Sequence, residues 1–237
     1  MKKIAIVQSS YIPWRGYFDL INSVDEFILF DDVQYTKRDW RSRNQIKTAQ
    51  GLQWLSIPVQ VKGKCTQLIK DVVISDPTWA DKHWRAFELN YGRAAFFAEF
   101  AARIYQTYLE VKKFERLSDV NYHWLKKICE WLNISTQLTW SMNYEVQSQE
   151  KNDRLIQLCL AAKASIYLSG PSAKVYIDLS QFHQNGIEVE YMNYANYASY
   201  PQRFGDFEST VSILDLLLNV GGKNAMVYMK SFSLTET

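Results

Sequence analysis

The sequence predicts an α/β protein with a Rossmann-like, largely parallel sheet, flanking helices and a helical insert at about 79–132. A short apolar strand over 4–7 precedes a loop, a helix that opens at Tyr17 and a second strand over 27–30. This order is typical of the opening of a parallel α/β unit. The insert is predicted because apolar residues recur there at intervals of three and four.

The remaining elements follow from apolar runs and turn residues. Strands are predicted over 54–59 and 68–74, with a Lys-Gly-Lys turn between them. Asp76 before Pro77 indicates the start of a helix, with the aspartate as its cap. After the insert the pattern predicts, in order, a strand, a helix, two strands and a helix over 137–140, 153–164, 166–168, 187–192 and 212–219. Because no linker or repeat interrupts the chain, we expect one domain over 1–237.

Composition and charge limit the class of protein. Hydrophobic residues make up 47% of the 237 positions and aromatic residues 15%, which supports a sizeable core and excludes general disorder. The formal net charge is only +2. A general nucleic-acid binder carries a basic field over the whole domain, so nucleic acid is not an expected partner.

The sequence favours a cytoplasmic protein. After Met1 only residues 4–7 are continuously apolar before a polar position, which is too short for a signal peptide, and no run is long enough to span a membrane. The three cysteines are widely spaced and form no C-x-x-C pair: Cys65, Cys129 and Cys159. Such an arrangement is typical of unpaired thiols in a reducing compartment.

A cationic stretch follows the second predicted strand and is the strongest functional signal. It places five cations within eleven positions, with Asn44 among them: Lys37, Arg38, Arg41, Arg43 and Lys47. Arginine can bind phosphate or carboxylate through two hydrogen bonds, and lysine adds a point charge. We therefore predict an anion site. The alternative is a surface loop neutralised by its own acids, Asp31, Asp32 and Asp39.

Candidate catalytic and ring-binding residues lie at the ends of the first two predicted strands. Asp31 and Asp32 would act as a base or hold a metal or a ribose hydroxyl, or else only neutralise the cations. Gln8 would give hydrogen bonds. The loop after the first strand offers an aromatic wall for a base or sugar through Tyr11, Trp14, Gly16 and Tyr17, or packs on the sheet instead.

The later part of the sequence contains one more candidate ligand-binding loop and lacks the common metal-binding and nucleotide-binding motifs. Ser169 and Gly170 follow a predicted strand, where α/β proteins hold their ligands. The three histidines lack ligand spacing, and no P-loop, G-x-G-x-x-G or G-x-S-x-G is present, so no metal and no cofactor are expected. Asp215 lies among apolar neighbours and needs a partner if it is buried.

Several motifs over residues 4–222 resemble the WbqC-like protein family: Tyr11-Ile12-Pro13-Trp14-Arg15-Gly16-Tyr17-Phe18, Phe30-Asp31-Asp32-Val33-Gln34-Tyr35, Arg43-Asn44-Gln45-Ile46-Lys47-Thr48, Tyr167-Leu168-Ser169-Gly170, Tyr176-Ile177-Asp178, Tyr200-Pro201-Gln202 and Ser212-Ile213-Leu214-Asp215-Leu216-Leu217. The resemblance adds Tyr176 and Gln202 to the candidate substrate-binding residues. Many members carry His-Gln-Pro where this chain has Val7-Gln8-Ser9, which argues against a histidine-based mechanism here.

The resemblance implies a place in O-antigen or other surface-polysaccharide synthesis, with transfer of an acyl or glycyl group to an amino sugar. The expected partner is a phosphorylated or nucleotide-linked small molecule, and the oligomeric state is left open. One alternative is a nucleotidyl- or adenylyl-transferase-like enzyme. Another is a non-catalytic protein that binds RNA or a partner through cations interleaved with aromatic residues.

Overall fold

The computed structural model describes residues 1–64 and 66–232. Cys65 and residues 233–237 lie outside the described residues. The strands in chain order are β1 (Lys3–Val7), β2 (Glu26–Leu29), β3 (Arg43–Thr48), β4 (Gly51–Ser56), β5 (Gln137–Trp140), β6 (Ile166–Ser169) and β7 (Glu188–Tyr191). The helices are α1 (Arg15–Asn22), α2 (Trp79–Tyr91), α3 (Phe97–Val111), α4 (Leu117–Trp131), α5 (Lys151–Ala161), α6 (Leu179–Gln184), α7 (Ile213–Val220) and α8 (Gly222–Ala225).

Five of these strands form one parallel sheet in the order β5-β2-β1-β6-β7. The predicted Rossmann-like α/β fold is therefore confirmed. The chain runs outward from β1 to β2 and β5, then returns to pair β6 with the other side of β1. In an open parallel sheet such a reversal leaves a crevice at the carboxyl ends of the two central strands, and ligands bind there.

The central strands β1, β2 and β6 are buried on both faces, which explains why each contains a continuous apolar run. Ala5 packs in one cluster with α1, the helices of the 79–131 segment and α7, whereas its neighbours Ile4 and Ile6 pack in another with α5 and α6. Alternate side chains of β1 thus enter opposite layers, as the two-residue period of a strand requires. Cys129 and Cys159 are free, buried thiols in these layers.

The helical pattern at about 79–132 is occupied by α2, α3 and α4, as predicted. The start of α2 differs from the expectation, because the helix begins at Trp79 and Thr78 precedes it without a side-chain cap. Asp76 instead accepts hydrogen bonds from the Thr78 amide at 2.9 Å and its hydroxyl at 2.6 Å. It therefore closes the turn ahead of the helix. Within the described residues no helix is both long and apolar enough to cross a membrane.

The prediction of a strand over 68–74 was wrong. The segment forms a short 3-10 turn over Ile69–Asp71 and makes only isolated bridges. The amides of Ile69 and Lys70 donate to the carbonyls of Val33 and Asp31, both at 2.9 Å, so they bind a loop rather than a strand ladder.

The strand β3, which contains the end of the cationic stretch, was not predicted from the sequence. It pairs antiparallel with β4 in a separate two-stranded sheet, and the predicted strand over 54–59 begins earlier, at Gly51. Asn44 and Ile46 are buried on one face of β3, while Arg43 and Gln45 alternate with them. The charged positions therefore belong to one face of a half-buried strand.

Candidate functional site

Two adjoining cavities lie at the carboxyl ends of β1 and β6. We call the first the switch-point cavity, because it lies where the strand order reverses between β1 and β6. It has a volume of about 630 Å³ and is lined by the ends of both strands, the start of α5 and the loop after β6. The aromatic cavity has a volume of about 600 Å³ and lies against Trp40, Tyr197 and Phe207. Five residues line both cavities: Val7, Trp14, Tyr17, Arg41 and Tyr194. The two cavities therefore share a boundary of aromatic rings and one guanidinium.

Trp14 forms the aromatic part of this boundary. Its indole makes edge contacts with the rings of Tyr194 and Tyr197, with ring centroids 5.2 Å and 5.6 Å apart. The ring lies over the start of α1, where a Cβ atom built on Gly16 would come within 2.4 Å of it. Gly16 thus allows the close approach of the indole. Tyr17 adds a second ring, and its hydroxyl donates to the Gln8 carbonyl at 2.9 Å.

Arg41 is the cation on the boundary. Its Nη1 donates to Gln8 Oε1 at 2.8 Å, and its Nη2 lies 4.0 Å from a carboxylate oxygen of Asp39. Its Nε is buried and has no hydrogen-bond partner among the described residues. The backbone is held as well, because Asn121 of α4 donates to the Arg41 carbonyl at 2.9 Å. A fixed guanidinium with unused donors can bind an anionic or carbonyl oxygen.

Two further cations of the switch-point cavity, Lys151 and Arg154, were missed by the sequence analysis. They lie three positions apart in the first turns of α5 and so share a face. Arg154 donates from Nη2 to Asp32 at 2.5 Å and lies 4.9 Å over the Phe30 ring. The Lys151 ammonium lies 3.2 Å from the ring centroid of Tyr176. The i, i+3 spacing was visible in the sequence, but its meaning depended on α5 starting beside the carboxyl end of the sheet.

The two candidate catalytic aspartates have different surroundings. Asp31 is fully buried and accepts from the Ser9 amide at 2.8 Å, the Ser9 hydroxyl at 2.7 Å and the Ser118 hydroxyl at 2.6 Å. Burial raises the pKa of its carboxyl, and these hydrogen bonds oppose that rise. Asp32 accepts from the Ser141 hydroxyl at 2.5 Å and from Arg154. Neither residue belongs to the lining of the two cavities.

Tyr11 is in the core rather than at a cavity wall. Its side chain is fully buried, and its hydroxyl makes hydrogen bonds of 2.8 Å to His83 Nδ1 and 2.9 Å to the Tyr108 hydroxyl. Its carbonyl and that of Ile12 accept from the side-chain amide of Asn44 at 3.1 Å and 2.9 Å. Asn44 also lines the aromatic cavity, so it ties the aromatic loop to β3 at the site.

The cationic stretch is distributed over different surroundings. Lys37 and Arg38 are exposed, and only Arg41 of the five cations lines the cavities. The Arg43 guanidinium lies 4.0 Å over the Trp54 ring, outside both linings. Lys47 is buried and donates to Gln202 Oε1 at 3.1 Å and to the Asp206 carbonyl.

Gln202 belongs to a buried network around Asp215. The Asp215 carboxylate accepts from the hydroxyls of Tyr91 at 2.6 Å and Tyr200 at 2.7 Å, and from Gln202 Nε2 at 2.8 Å. This carboxylate is fully buried and has the partners that its apolar neighbours in the sequence made necessary. The network joins α2, α7 and the 200–208 loop.

The loop after β6 completes the switch-point cavity. Ser169, Gly170 and Tyr176 all line it, and the Ser169 hydroxyl donates to the Tyr167 hydroxyl at 3.3 Å. In the part of the chain that the structure describes, no group of three or more His, Cys, Asp or Glu side chains is arranged to hold a metal ion.

Comparisons with known proteins agree with the motifs. The model of the WbqC-like protein family matches residues 8–227. The uncharacterized protein Rv1507c of Mycobacterium tuberculosis (strain ATCC 25618 / H37Rv) is 54% identical over 223 residues, which cover 94% of this chain and 96% of that protein. No solved structure is a significant match.

Proposed function

The chain belongs to the WbqC-like protein family, and we propose that it is a transferase of bacterial surface-polysaccharide (O-antigen) biosynthesis that moves an acyl or glycyl group to an amino sugar. The reaction class comes from the resemblance to the family. In the structure, two adjoining cavities support the proposal, since each is large enough for a small substrate and both are bounded by Trp14, Tyr17 and Arg41.

The shared boundary is the observation that carries this proposal. Group transfer requires two substrates with their reacting atoms in contact, and fixing both in one site removes much of the entropic barrier. A donor in the aromatic cavity would meet, beside Trp14 and Arg41, an acceptor sugar that reaches past Trp14 from the switch-point cavity.

The linings suit different parts of the substrates. Trp14, Tyr194, Tyr197 and Phe207 give the aromatic cavity flat apolar surfaces for a sugar ring. Arg41 at the boundary would stabilise the oxyanion that develops on the acyl carbonyl, through donors that its bond to Gln8 holds in place.

An amino group is a suitable acceptor in this lining. A neutral amine already carries a nucleophilic electron pair, and no Asp or Glu is among the described residues that line the cavities. The nitrogen would attack the acyl carbon, the C–N bond would form, and the leaving group would depart with the electron pair of the broken bond. The amine proton would pass to the leaving group or to water. In this scheme Asp32 positions Arg154, and Asp31 holds Ser9 at the end of β1.

Two alternatives have support of their own. The cavity at the reversal of strand order favours a nucleotidyl- or adenylyl-transferase, because such crevices bind nucleotides in α/β proteins. Trp40 and Trp54 are 42% and 40% exposed near the exposed cations Lys37 and Arg38, which would suit RNA or partner binding.

Thermal shift against nucleotide sugars, nucleotides and acyl or aminoacyl donors tests the proposal. A ligand that binds only the folded state raises the melting temperature. We expect shifts with nucleotide-linked amino sugars that are lost in Arg41→Gln and retained in Arg43→Gln, the matched control. A shift with ATP alone would favour adenylyl transfer, and RNA binding that weakens steeply with salt would favour the binding role.

A further inference from the structure

We infer that the switch-point cavity is a diphosphate site, in which Arg41, Lys151 and Arg154 hold the two phosphates of a nucleoside diphosphate-linked sugar. The inference rests on the proposed function and assigns the parts of its nucleotide-linked substrate to the two cavities. The sugar would extend past Trp14 into the aromatic cavity.

The unused donors of the two arginines are the first argument. The Nε atoms of Arg41 and Arg154 are buried and have no hydrogen-bond partner among the described residues. Both side chains are well enclosed, with exposed fractions of 13% and 15%. A buried donor without an acceptor is costly, and a bound phosphate oxygen would supply the acceptor.

The balance of charge is the second argument. Arg154 is paired with Asp32, but Arg41 has no carboxylate within hydrogen-bond distance, and no salt bridge joins Lys151 to another described residue. The Lys151 ammonium instead lies against the Tyr176 ring. Two of the three cations therefore lack a close carboxylate, which matches the two negative charges of the diphosphate in a nucleotide sugar.

The position of the cations is the third argument. Arg41 precedes β3, whereas Lys151 and Arg154 come from α5, so two separate segments bring charge to the cavity where β1 and β6 end. The crevice between such strands holds the pyrophosphate in dinucleotide-binding sheets, usually on backbone amides of a glycine-rich loop. This chain has no such loop after β1, and side-chain cations would take its place.

The aromatic cavity is a poorer anion site. Its second cation, Arg15, donates from Nη1 to the carbonyls of Ala198 at 2.7 Å and Tyr228 at 3.1 Å. The Tyr197 ring covers its guanidinium at 4.6 Å. Because Arg15 already has protein partners, the aromatic cavity suits the uncharged sugar and the transferred group.

Isothermal titration of the full chain with UDP, UMP, uridine and inorganic pyrophosphate tests the inference. We expect UDP to bind at least about tenfold more tightly than UMP, since a second phosphate adds charge-assisted hydrogen bonds. Pyrophosphate alone should bind, and uridine should bind least. Lys151→Gln and Arg154→Gln should each weaken UDP and pyrophosphate about tenfold or more, while Arg43→Gln should change them less than about twofold.

Lys151→Gln is the variant less able to disturb folding. Among the described residues the Lys151 ammonium contacts only the Tyr176 ring, whereas Arg154 also binds Asp32. Equal affinity for UDP and UMP, or an unchanged affinity in Lys151→Gln, would overturn the inference. Acyl transfer to an amino sugar without pyrophosphate binding would overturn it and leave the proposed function standing. Pyrophosphate binding that depends on Lys151 would uphold it even if no transfer reaction is found.

Discussion

Replacing Gly16 with alanine isolates the contact that shapes the boundary between the cavities. The added Cβ would lie 2.4 Å from Cζ2 and 2.5 Å from Cη2 of Trp14, about 1 Å inside ordinary van der Waals contact. The indole must therefore move away from its present position. Its edge contacts with Tyr194 and Tyr197 would be lost or weakened.

The expected change in the free energy of unfolding is the sum of two opposing contributions. Two aromatic contacts are worth about 0.5–1.5 kcal/mol each. Alanine in place of glycine inside a helix returns up to about 1 kcal/mol, and Gly16 is the second residue of α1. Gly16→Ala should therefore lower the free energy of unfolding by about 1 kcal/mol. In a Trp14→Ala background the indole is absent, so the same change should raise that free energy by up to about 1 kcal/mol.

Urea denaturation of the four proteins in this double-mutant cycle measures both values, and a constant m-value would show that the unfolded state is unchanged. A ligand titration should show weaker nucleotide-sugar binding in Gly16→Ala, because Trp14 lines both cavities. Equal destabilisation by Gly16→Ala in the two backgrounds would refute the reasoning, since the cost could not then come from the indole.

Three other changes test the surroundings of the site. Asp215→Ala leaves the buried hydroxyls of Tyr91 and Tyr200 without an acceptor and should lower the free energy of unfolding in urea by about 2 kcal/mol or more. A loss below about 1 kcal/mol would contradict this. Burial lowers the pKa of His83 to about 4, so the folded state binds fewer protons than the unfolded state. The contribution of neutral, buried His83 to the free energy of unfolding is therefore present above the usual histidine pKa and is lost as the pH falls towards 4. From about pH 7 to pH 5 the wild type should lose about 2 kcal/mol more than His83→Gln, and parallel curves would contradict it. Because Asp32 positions Arg154, Asp32→Asn should raise the KM for the nucleotide-linked sugar with little change in kcat. A large fall in kcat would show instead that Asp32 acts as a base.

The centre of the main sheet was predictable because β1, β2 and β6 are buried on both faces. Ile4 and Ile6 enter one layer and Ala5 the other, so the run is apolar throughout and ends where β1 ends. The strand β3 was not predictable in this way. Arg43 and Gln45 alternate with Asn44 and Ile46, and only the pairing with β4 distinguishes that pattern from a polar loop.

The candidate site was predictable only where it is local in sequence. Trp14 and Arg41 lie in the loops that follow the first two strands of the sheet, and both line the cavities. Lys151 and Arg154 come more than a hundred positions later than Trp14 and join the site because the chain returns to β6 beside β1. Lys47 resembles a ligand-binding cation in the sequence, but it is buried against the 202–206 loop, a long-range contact that no local pattern encodes.

The central claim is that two substrates meet at Arg41 and undergo group transfer. Mass spectrometry of reactions between a panel of acyl and aminoacyl donors and nucleotide-linked amino sugars tests it most directly. We expect an acylated sugar with wild type and Arg43→Gln, and a rate at least about a hundredfold lower with Arg41→Gln, as for the loss of one oxyanion donor. Equal rates for Arg41→Gln and Arg43→Gln, or no acylated sugar from any pair in the panel, would contradict the claim.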